Sequence, residues 1–201
     1  INMITFKKIS NEAPYNNFIN YYNLALEMQE NQIEAISISS YDPNKSEVNS
    51  RFVNLKYIIE DEWIFFSNYN SPKARQFDLH NQISCIFHWK SINIQIRLKA
   101  NIFKTDAKFS DVHFLNRSTK KNALAVSSMQ SETVKSFKTV KDNYQKCLNN
   151  ESLLKDRPVY WGGFSFKPYY FEFWEGSNER LNKREVFQLA DNHWQHSLIQ
   201  P

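Results

Sequence analysis

Ile83, Cys85, Phe87 and Trp89 occupy every second position of one run, and after a turn Ile92, Ile94, Ile96 and Leu98 do the same in the next. In the second run Asn93, Gln95, Arg97 and Lys99 fill the positions between. A period of two marks a strand, because successive side chains point to opposite faces. Two such runs joined by a short connection demand a hairpin with one apolar face, and that face must be buried against something else. The rest of the chain has to extend this sheet or cover it.

Residues 17–31 place Phe18, Tyr21, Tyr22, Ala25 and Met28 on one side at helical spacing, with Glu27, Glu30 and Asn31 toward the other, which predicts an amphipathic first helix. Isoleucine and serine alternate over 35–41, Asp42-Pro43-Asn44 supplies turn chemistry, and residues 50–59 form a second β-rich run, so a hairpin with a long loop is expected. A third strand over 63–67 delivers the chain to Ser71-Pro72, an N-cap and first-turn pair that predicts a short helix over 73–80. From 106 to 149 the period is helical, with Val134, Phe137, Val140 and Tyr144 as the apolar stripe of the longest helix. Strands return over 160–166, 169–174, 180–189 and 194–199. Strands at both ends, a helical insert and no GxGxxG or βαβ alternation predict an α+β fold built on an antiparallel barrel, in one domain over 1–201.

The 201 residues carry 41% hydrophobic and 15% aromatic side chains, which excludes disorder over most of the length. The net charge of +4 is dispersed, so it marks no nucleic-acid face; a binder of small phosphorylated molecules needs only local cations. Cys85 and Cys147 are far apart without ligand spacing, and are expected as reduced thiols. Residues 1–15 lack a basic start followed by an apolar run, and no stretch is long enough to span a bilayer, so a cytoplasmic protein without membrane contact is expected. His193 and His196 have no matching third ligand, so no metal site is expected, and GxSxG, HExxH and P-loop motifs are missing.

Four segments carry candidate chemistry. Arg51 to Lys56 puts two cations and an amide in a half-buried strand, facing either a bound anion or solvent. Ser67, Ser71 and Lys73 stand at a strand-to-helix junction whose free N–H groups favour a phosphate, although plain capping accounts equally for Ser71. Gln95, Gln130 and Ser131 offer amides and a hydroxyl that suit the polar edge of a flat ring, or else a surface and a helix cap. The stretch from Phe171 to Arg184 ends a strand on Trp174, turns, and returns with Arg180 and Arg184, two guanidinium forks beside an indole; a ribbon with an exposed cationic edge is the competing account.

Taken in order, these segments resemble the pyridoxamine 5'-phosphate oxidase family from about the first helix to Pro201. The pieces that carry the likeness are Arg51-Phe52-Val53-Asn54-Leu55-Lys56, Phe65-Phe66-Ser67-Asn68 with Ser71 and Lys73, Gln130-Ser131, Trp161-Gly162-Gly163-Phe164, and Glu172-Phe173-Trp174 through Arg180-Leu181 to Arg184. The resemblance implies a split β-barrel with flanking helices, working as a homodimer with flavin mononucleotide (FMN) at the subunit interface and residues 160–201 as dimerisation and substrate strands. It assigns Arg51, Phe52, Val53, Asn54, Leu55, Lys56, Phe66, Ser67, Lys73 and Gln95 to the flavin, completed by Gln130, Ser131, Trp174 and Arg184, some of them from the partner. Lys56, Arg117, Arg180, Leu181 and Asn182 would surround the phosphate ester of a vitamin B6 vitamer, with Arg180 placing the substrate over the ring. The implied reaction moves a hydride from substrate C4' to the flavin, gives pyridoxal 5'-phosphate, and returns the electrons to oxygen as peroxide.

The chain departs from the family pattern on the substrate side. His113 stands where a phosphate-binding tyrosine is usual, Lys121 where a serine is usual, and Asn182 where a histidine is usual. Pro72 replaces an arginine beside the flavin phosphate, which removes one fork and a backbone donor and implies weaker FMN binding. His113 and Lys121 remain able to bind a phosphate. The same departures suit a phenazine-pathway relative with another ring substrate, and a non-catalytic carrier of flavin or B6 phosphate is a third reading.

Overall fold

The computed structural model describes residues 3–201; Ile1 and Asn2 of the expected domain lie outside the described residues. The hairpin that the alternation demands is formed by β6 (Gln82–Trp89) and β7 (Ile94–Lys104), in register Cys85 to Leu98 and Phe87 to Ile96. Ile92 belongs to the connecting 3₁₀ turn rather than to the strand, and Asn93 closes that turn with φ 52°, a left-handed conformation that asparagine tolerates.

The axis of the sheet is β8 (Trp161–Glu175), where two strands were expected. Pro168 cannot donate to a ladder, and a register shift opposite it, between Lys99 and Ala100 of β7, lets the strand run on. Along its first half β8 pairs with β5 (Glu62–Asn68) and along its second with β9 (Lys183–Ala190), while β7 follows both halves. The sheet therefore splits at β8. One branch runs through β5 to β4 (Tyr57–Ile59) and β1 (Thr5–Lys7), and β1–β4 is the one parallel pairing among the described residues. The other carries β9 and β10 (His193–Ile199), and the far side continues from β7 through β6 to β2 (Ala35–Asp42) and β3 (Glu47–Asn54).

The β2–β3 connection is short, contrary to expectation, with the Asn44 N–H donating to Asp42 Oδ1 at 3.1 Å. Residues 47–49 are too polar to read as a strand, but among the described residues β3 pairs with β2 alone, and an edge strand tolerates polar side chains.

α1 (Ala13–Glu27) covers the hairpin's apolar face, starting and ending four residues before the expected span. Phe18 is fully buried, with its ring 4.5 Å from Trp63 and 5.5 Å from both Phe87 and Trp89, and its burial contributes roughly 2–3 kcal/mol. Met28, expected on the buried side, lies past the helix and is exposed. The helical insert is three pieces: α3 (Ala107–Leu115), α4 (Thr119–Ser127) and α5 (Phe137–Leu148). Asp106, Ser118 and Ser136 cap their first turns, and these caps are the boundary signals that a stripe running to Val134 overlooked. Val134 lies outside the helix, Phe137 is 71% exposed, and α5 is shorter than α1.

α2 (Pro72–Leu79) follows β5 directly. Gly162 and Gly163 let β8 approach its neighbours: a Cβ at Gly162 would run into the Tyr69 phenol, and one at Gly163 into Thr105. No helix among the described residues is long and apolar enough to cross a membrane.

Candidate functional site

A cleft of about 870 Å³ opens where β3, the end of β5, the start of α2 and the α3–α4 corner meet. Arg51 and Val53 are half-buried on β3, while Phe52 between them is 74% exposed. Arg51 donates to Ser40 Oγ (2.7 Å), Gln76 Oε1 (3.2 Å) and the Ile38 carbonyl (3.3 Å). Every one of these acceptors is neutral, so the guanidinium is held in place with its charge uncompensated.

Lys73 lies beside it, 7% exposed, and its ammonium donates to Ser71 Oγ at 3.2 Å. Burial, reinforced by the Arg51 charge, pulls Lys73 down to about 8. Ser71 occupies the N-cap position of α2 as expected, but its hydroxyl turns back to donate to the Asn68 carbonyl (2.8 Å) and caps no N–H of the helix.

The opposite end of the cleft is also cationic. Lys56, Arg117 and Lys121 line it with His113. Burial lowers both Lys56 and Arg117, the latter to about 10; the carboxylate of Glu34 partly offsets the effect at Lys56. Burial and the three surrounding cations pull His113 down to about 4, so its imidazole is neutral at pH 7. The ring lies flat on Phe66, with centroids 3.6 Å apart, and Trp161 lies parallel to Phe66 at 5.3 Å. The Arg117 guanidinium sits 4.3 Å over the Trp161 ring. His113 Nδ1 is 2.8 Å from the Tyr57 hydroxyl.

Between the two ends, Ser67 Oγ and the Asn68 N–H both donate to Gln130 Oε1, at 3.0 and 3.3 Å, which ties the 128–136 segment to the end of β5. Ser131 lines the wall next to it, with φ 71°. Among the described residues, five cations and no carboxylate line the cleft, an arrangement that attracts anions and suits a molecule charged at two points.

The structure thus brings together Arg51, Phe52, Val53, Asn54, Lys56, Phe66, Ser67, Lys73, His113, Arg117, Lys121, Gln130 and Ser131. Leu55, expected at the flavin, is fully buried in the core, because the chain turns inward between β3 and β4. The remaining expected residues form a second group outside this cleft. Gln95, Trp174 and Arg184 are cross-strand neighbours in one row over β7, β8 and β9. Arg184 Nε and Nη2 donate to Glu172 Oε1 at 2.9 and 2.8 Å, Arg97 pairs with the other oxygen at 2.8 Å, and Glu172 is 1% exposed. Arg180, expected to be catalytic, is exposed in the β8–β9 turn with φ 59°, next to exposed Leu181. Asn182 Oδ1 accepts the Ser177 N–H at 3.0 Å and so closes that same turn.

Tyr57 and Trp161 escaped the sequence reading as site residues, as did Asn116, Ser118 and Leu124 of the cleft wall. Tyr57 follows Lys56 directly and Trp161 opens a segment already singled out, but only the approach of α3 to β4 and β8 brings them to the cleft.

Comparison with known proteins agrees with this architecture. Residues 161–201, which span β8 to β10, match the pyridoxine 5'-phosphate oxidase C-terminal dimerisation region. A pyridoxine/pyridoxamine 5'-phosphate oxidase of Hydrogenovibrio crunogenus is 30% identical over 94% of this chain and 88% of its own length. One from Roseobacter denitrificans is 30% identical over 96% and 97%. Among solved structures, PhzG from Burkholderia lata in complex with tetrahydrophenazine-1-carboxylic acid superposes with a TM-score of 0.88 over 94% of this chain and 92% of its own, at 20% identity. A pyridoxamine 5'-phosphate oxidase-related, FMN-binding protein of Nostoc punctiforme gives 0.77 over 95% and 99%, at 13% identity. The fold is the split barrel of these proteins, and with near-complete coverage at 30% identity the chain belongs to the pyridoxine/pyridoxamine 5'-phosphate oxidase family of oxidoreductases.

Proposed function

We propose that the protein is a homodimeric FMN-dependent oxidase that converts pyridoxamine or pyridoxine 5'-phosphate to pyridoxal 5'-phosphate with oxygen as electron acceptor. The observation that carries this reading is the cleft with cations at both ends, aromatic rings at one of them and no carboxylate in its lining among the described residues. Two phosphate esters, one on the cofactor and one on the substrate, account for two separate cationic clusters.

The donor set fits FMN. Half-buried Arg51 and buried Lys73 lie next to each other with no acidic partner among the described residues, an arrangement that disfavours the folded protein until a dianion is bound. They would hold the FMN phosphate, and Ser67 and Gln130 would meet the polar groups of the cofactor. Bound FMN supplies the redox chemistry, accepting a hydride and passing its electrons to oxygen. Lys56, Arg117 and Lys121, with His113, would bind the substrate phosphate and so fix the distance of the reacting carbon from the flavin.

Gln95, Trp174 and Arg184 lie outside the cleft of their own chain. In this reading they belong to the partner's site, which the match of residues 161–201 to a dimerisation region supports. Residues 3–201 then act as one domain whose β8–β10 strands carry the dimer contacts. Arg180, free at the tip of its turn, would reach over the partner's substrate.

One observation favours a second reading. Asn182 is engaged in closing its own turn, so it adds little to a phosphate site, and the cationic end would equally take the carboxylate of a ring acid. A phenazine-type flavin oxidase is that alternative. The test is a peroxide assay with pyridoxine 5'-phosphate on flavin-loaded protein, with pyridoxal 5'-phosphate and peroxide expected in equal amounts. Normal flavin binding without product would favour the alternative or a carrier, and protein that ignores added FMN would defeat every flavin reading.

A further inference from the structure

We infer that Tyr57 is a positioning residue for His113: by donating its phenol O–H to Nδ1 it keeps the single imidazole proton on Nε2, the nitrogen left for an anion in the cleft. The inference rests on the proposed reading of that end of the cleft as the seat of a substrate's anionic group.

The geometry leaves the imidazole little freedom. Phe66 lies flat against one side at 3.6 Å, Trp161 lies nearly parallel beside that pair with its centroid 6.2 Å from the imidazole, and the Tyr57 ring meets the imidazole nearly perpendicular, with centroids 5.4 Å apart. Nδ1 has the Tyr57 hydroxyl at 2.8 Å, and Nε2 has no hydrogen-bond partner among the described residues. The charged groups facing the ring are Lys56 from the β3–β4 link, Arg117 from the α3–α4 corner and Lys121 from α4. Lys7 from β1 approaches Tyr57, with its ammonium 5.6 Å from that ring.

Burial and three cations make a second ring proton unfavourable, so the imidazole has one N–H to place. With the proton on Nδ1, a lone pair on Nε2 would meet an incoming anion and repel it. With the proton on Nε2, the ring donates to the anion, and Nδ1 then requires a donor of its own. A phenol hydroxyl donates or accepts by rotating about one bond, so Tyr57 supplies that donor without any movement of the ring. A cluster of cations alone would attract any anion. A neutral donor of fixed direction selects for where an acceptor oxygen lies.

The test uses flavin-loaded protein and inorganic phosphate. With five histidines in the chain, ¹⁵N spectra of the imidazoles are simple enough to assign. His113 of the phosphate-saturated protein should be neutral at pH 7 with its proton on Nε2; a proton on Nδ1 would overturn the inference without any variant being made. Calorimetric titration should show Tyr57→Phe binding phosphate roughly tenfold more weakly, the loss of one hydrogen bond that supports a charged contact. His113→Gln keeps an N–H donor that needs no partner at Nδ1, so adding Tyr57→Phe to it should weaken binding by less than about twofold. Full tenfold losses that multiply in the double variant would show that Tyr57 acts independently of His113 and refute the assignment. Failure of the proposed oxidase reaction would appear in turnover, which none of these measurements uses.

Discussion

Replacing Lys73 by methionine removes a charge that the fold holds under strain. The residue is 7% exposed, its ammonium has one neutral partner at 3.2 Å and lies beside Arg51, and its pKa falls from 10.5 to about 8. At about 1.4 kcal/mol per tenfold change, that drop amounts to roughly 3 kcal/mol against the charged folded state at pH 7, which water in the open cleft reduces to about 2 kcal/mol. The unfolded lysine keeps its proton up to 10.5 and the folded one only up to about 8. The unfolded state thus binds more protons between these values, and stability rises with pH across that window. Methionine fills the space of the aliphatic stem and has nothing to ionise.

Flavin-stripped Lys73→Met is therefore expected to be about 1–2 kcal/mol more stable at pH 7, a rise in Tm of roughly 3–6 °C, and to lose the rise in stability above about pH 8. Its flavin affinity should fall at least about tenfold, because a charge-assisted contact to the phosphate is gone. Melting followed by circular dichroism at several pH values and flavin titration followed by fluorescence measure the two effects. A variant that melts lower at pH 7 and binds flavin as before would refute the reasoning, for Lys73 would then be an ordinary structural lysine.

Glu172→Gln leaves Arg97 and Arg184 facing a neutral group in a buried position and should destabilise the protein by about 3 kcal/mol, read from chemical denaturation; a change below about 1 kcal/mol would show that solvent screens the triad. Gly162→Ala drives a methyl into the Tyr69 phenol, which donates to the Gly163 carbonyl at 3.2 Å, and should cost about 1–3 kcal/mol with a lower Tm. Unchanged melting would show that Tyr69 moves aside freely. Arg180→Ala should keep the flavin spectrum and lose turnover of pyridoxine 5'-phosphate; loss of the flavin instead would place this arginine at the cofactor.

Most strands were legible because burial on one face imposes a period of two, and β6 and β7 are the clearest instance. Where that constraint lapses the reading failed. Glu47 to Asn49 sit at an edge and need no apolar alternation, and Pro168 reads as a break although a register shift carries β8 past it. In the helical insert, Val134 and Phe137 share a helical spacing but not a helix, and capping by Asp106, Ser118 and Ser136 decides the boundaries. The same holds for the site. Arg51 and Lys56 stood out as cations in a half-buried strand and Lys73 as a cation at a strand-to-helix junction, whereas Tyr57 is an ordinary strand tyrosine until α3 sets His113 against it.

The apolar periodicity, the α+β class and the family pattern follow from the order of residues alone, because these depend on residues near one another in the chain. It takes the folded chain to show that the cations of β3, α2 and the α3–α4 corner converge on one cleft, and that the row Gln95, Trp174 and Arg184 lies apart from it. The physical reason is that electrostatic and stacking interactions act through space. Residues 56 and 121 sense each other's charge through the pairing of strands and the packing of helices between them, and no local pattern encodes that distance.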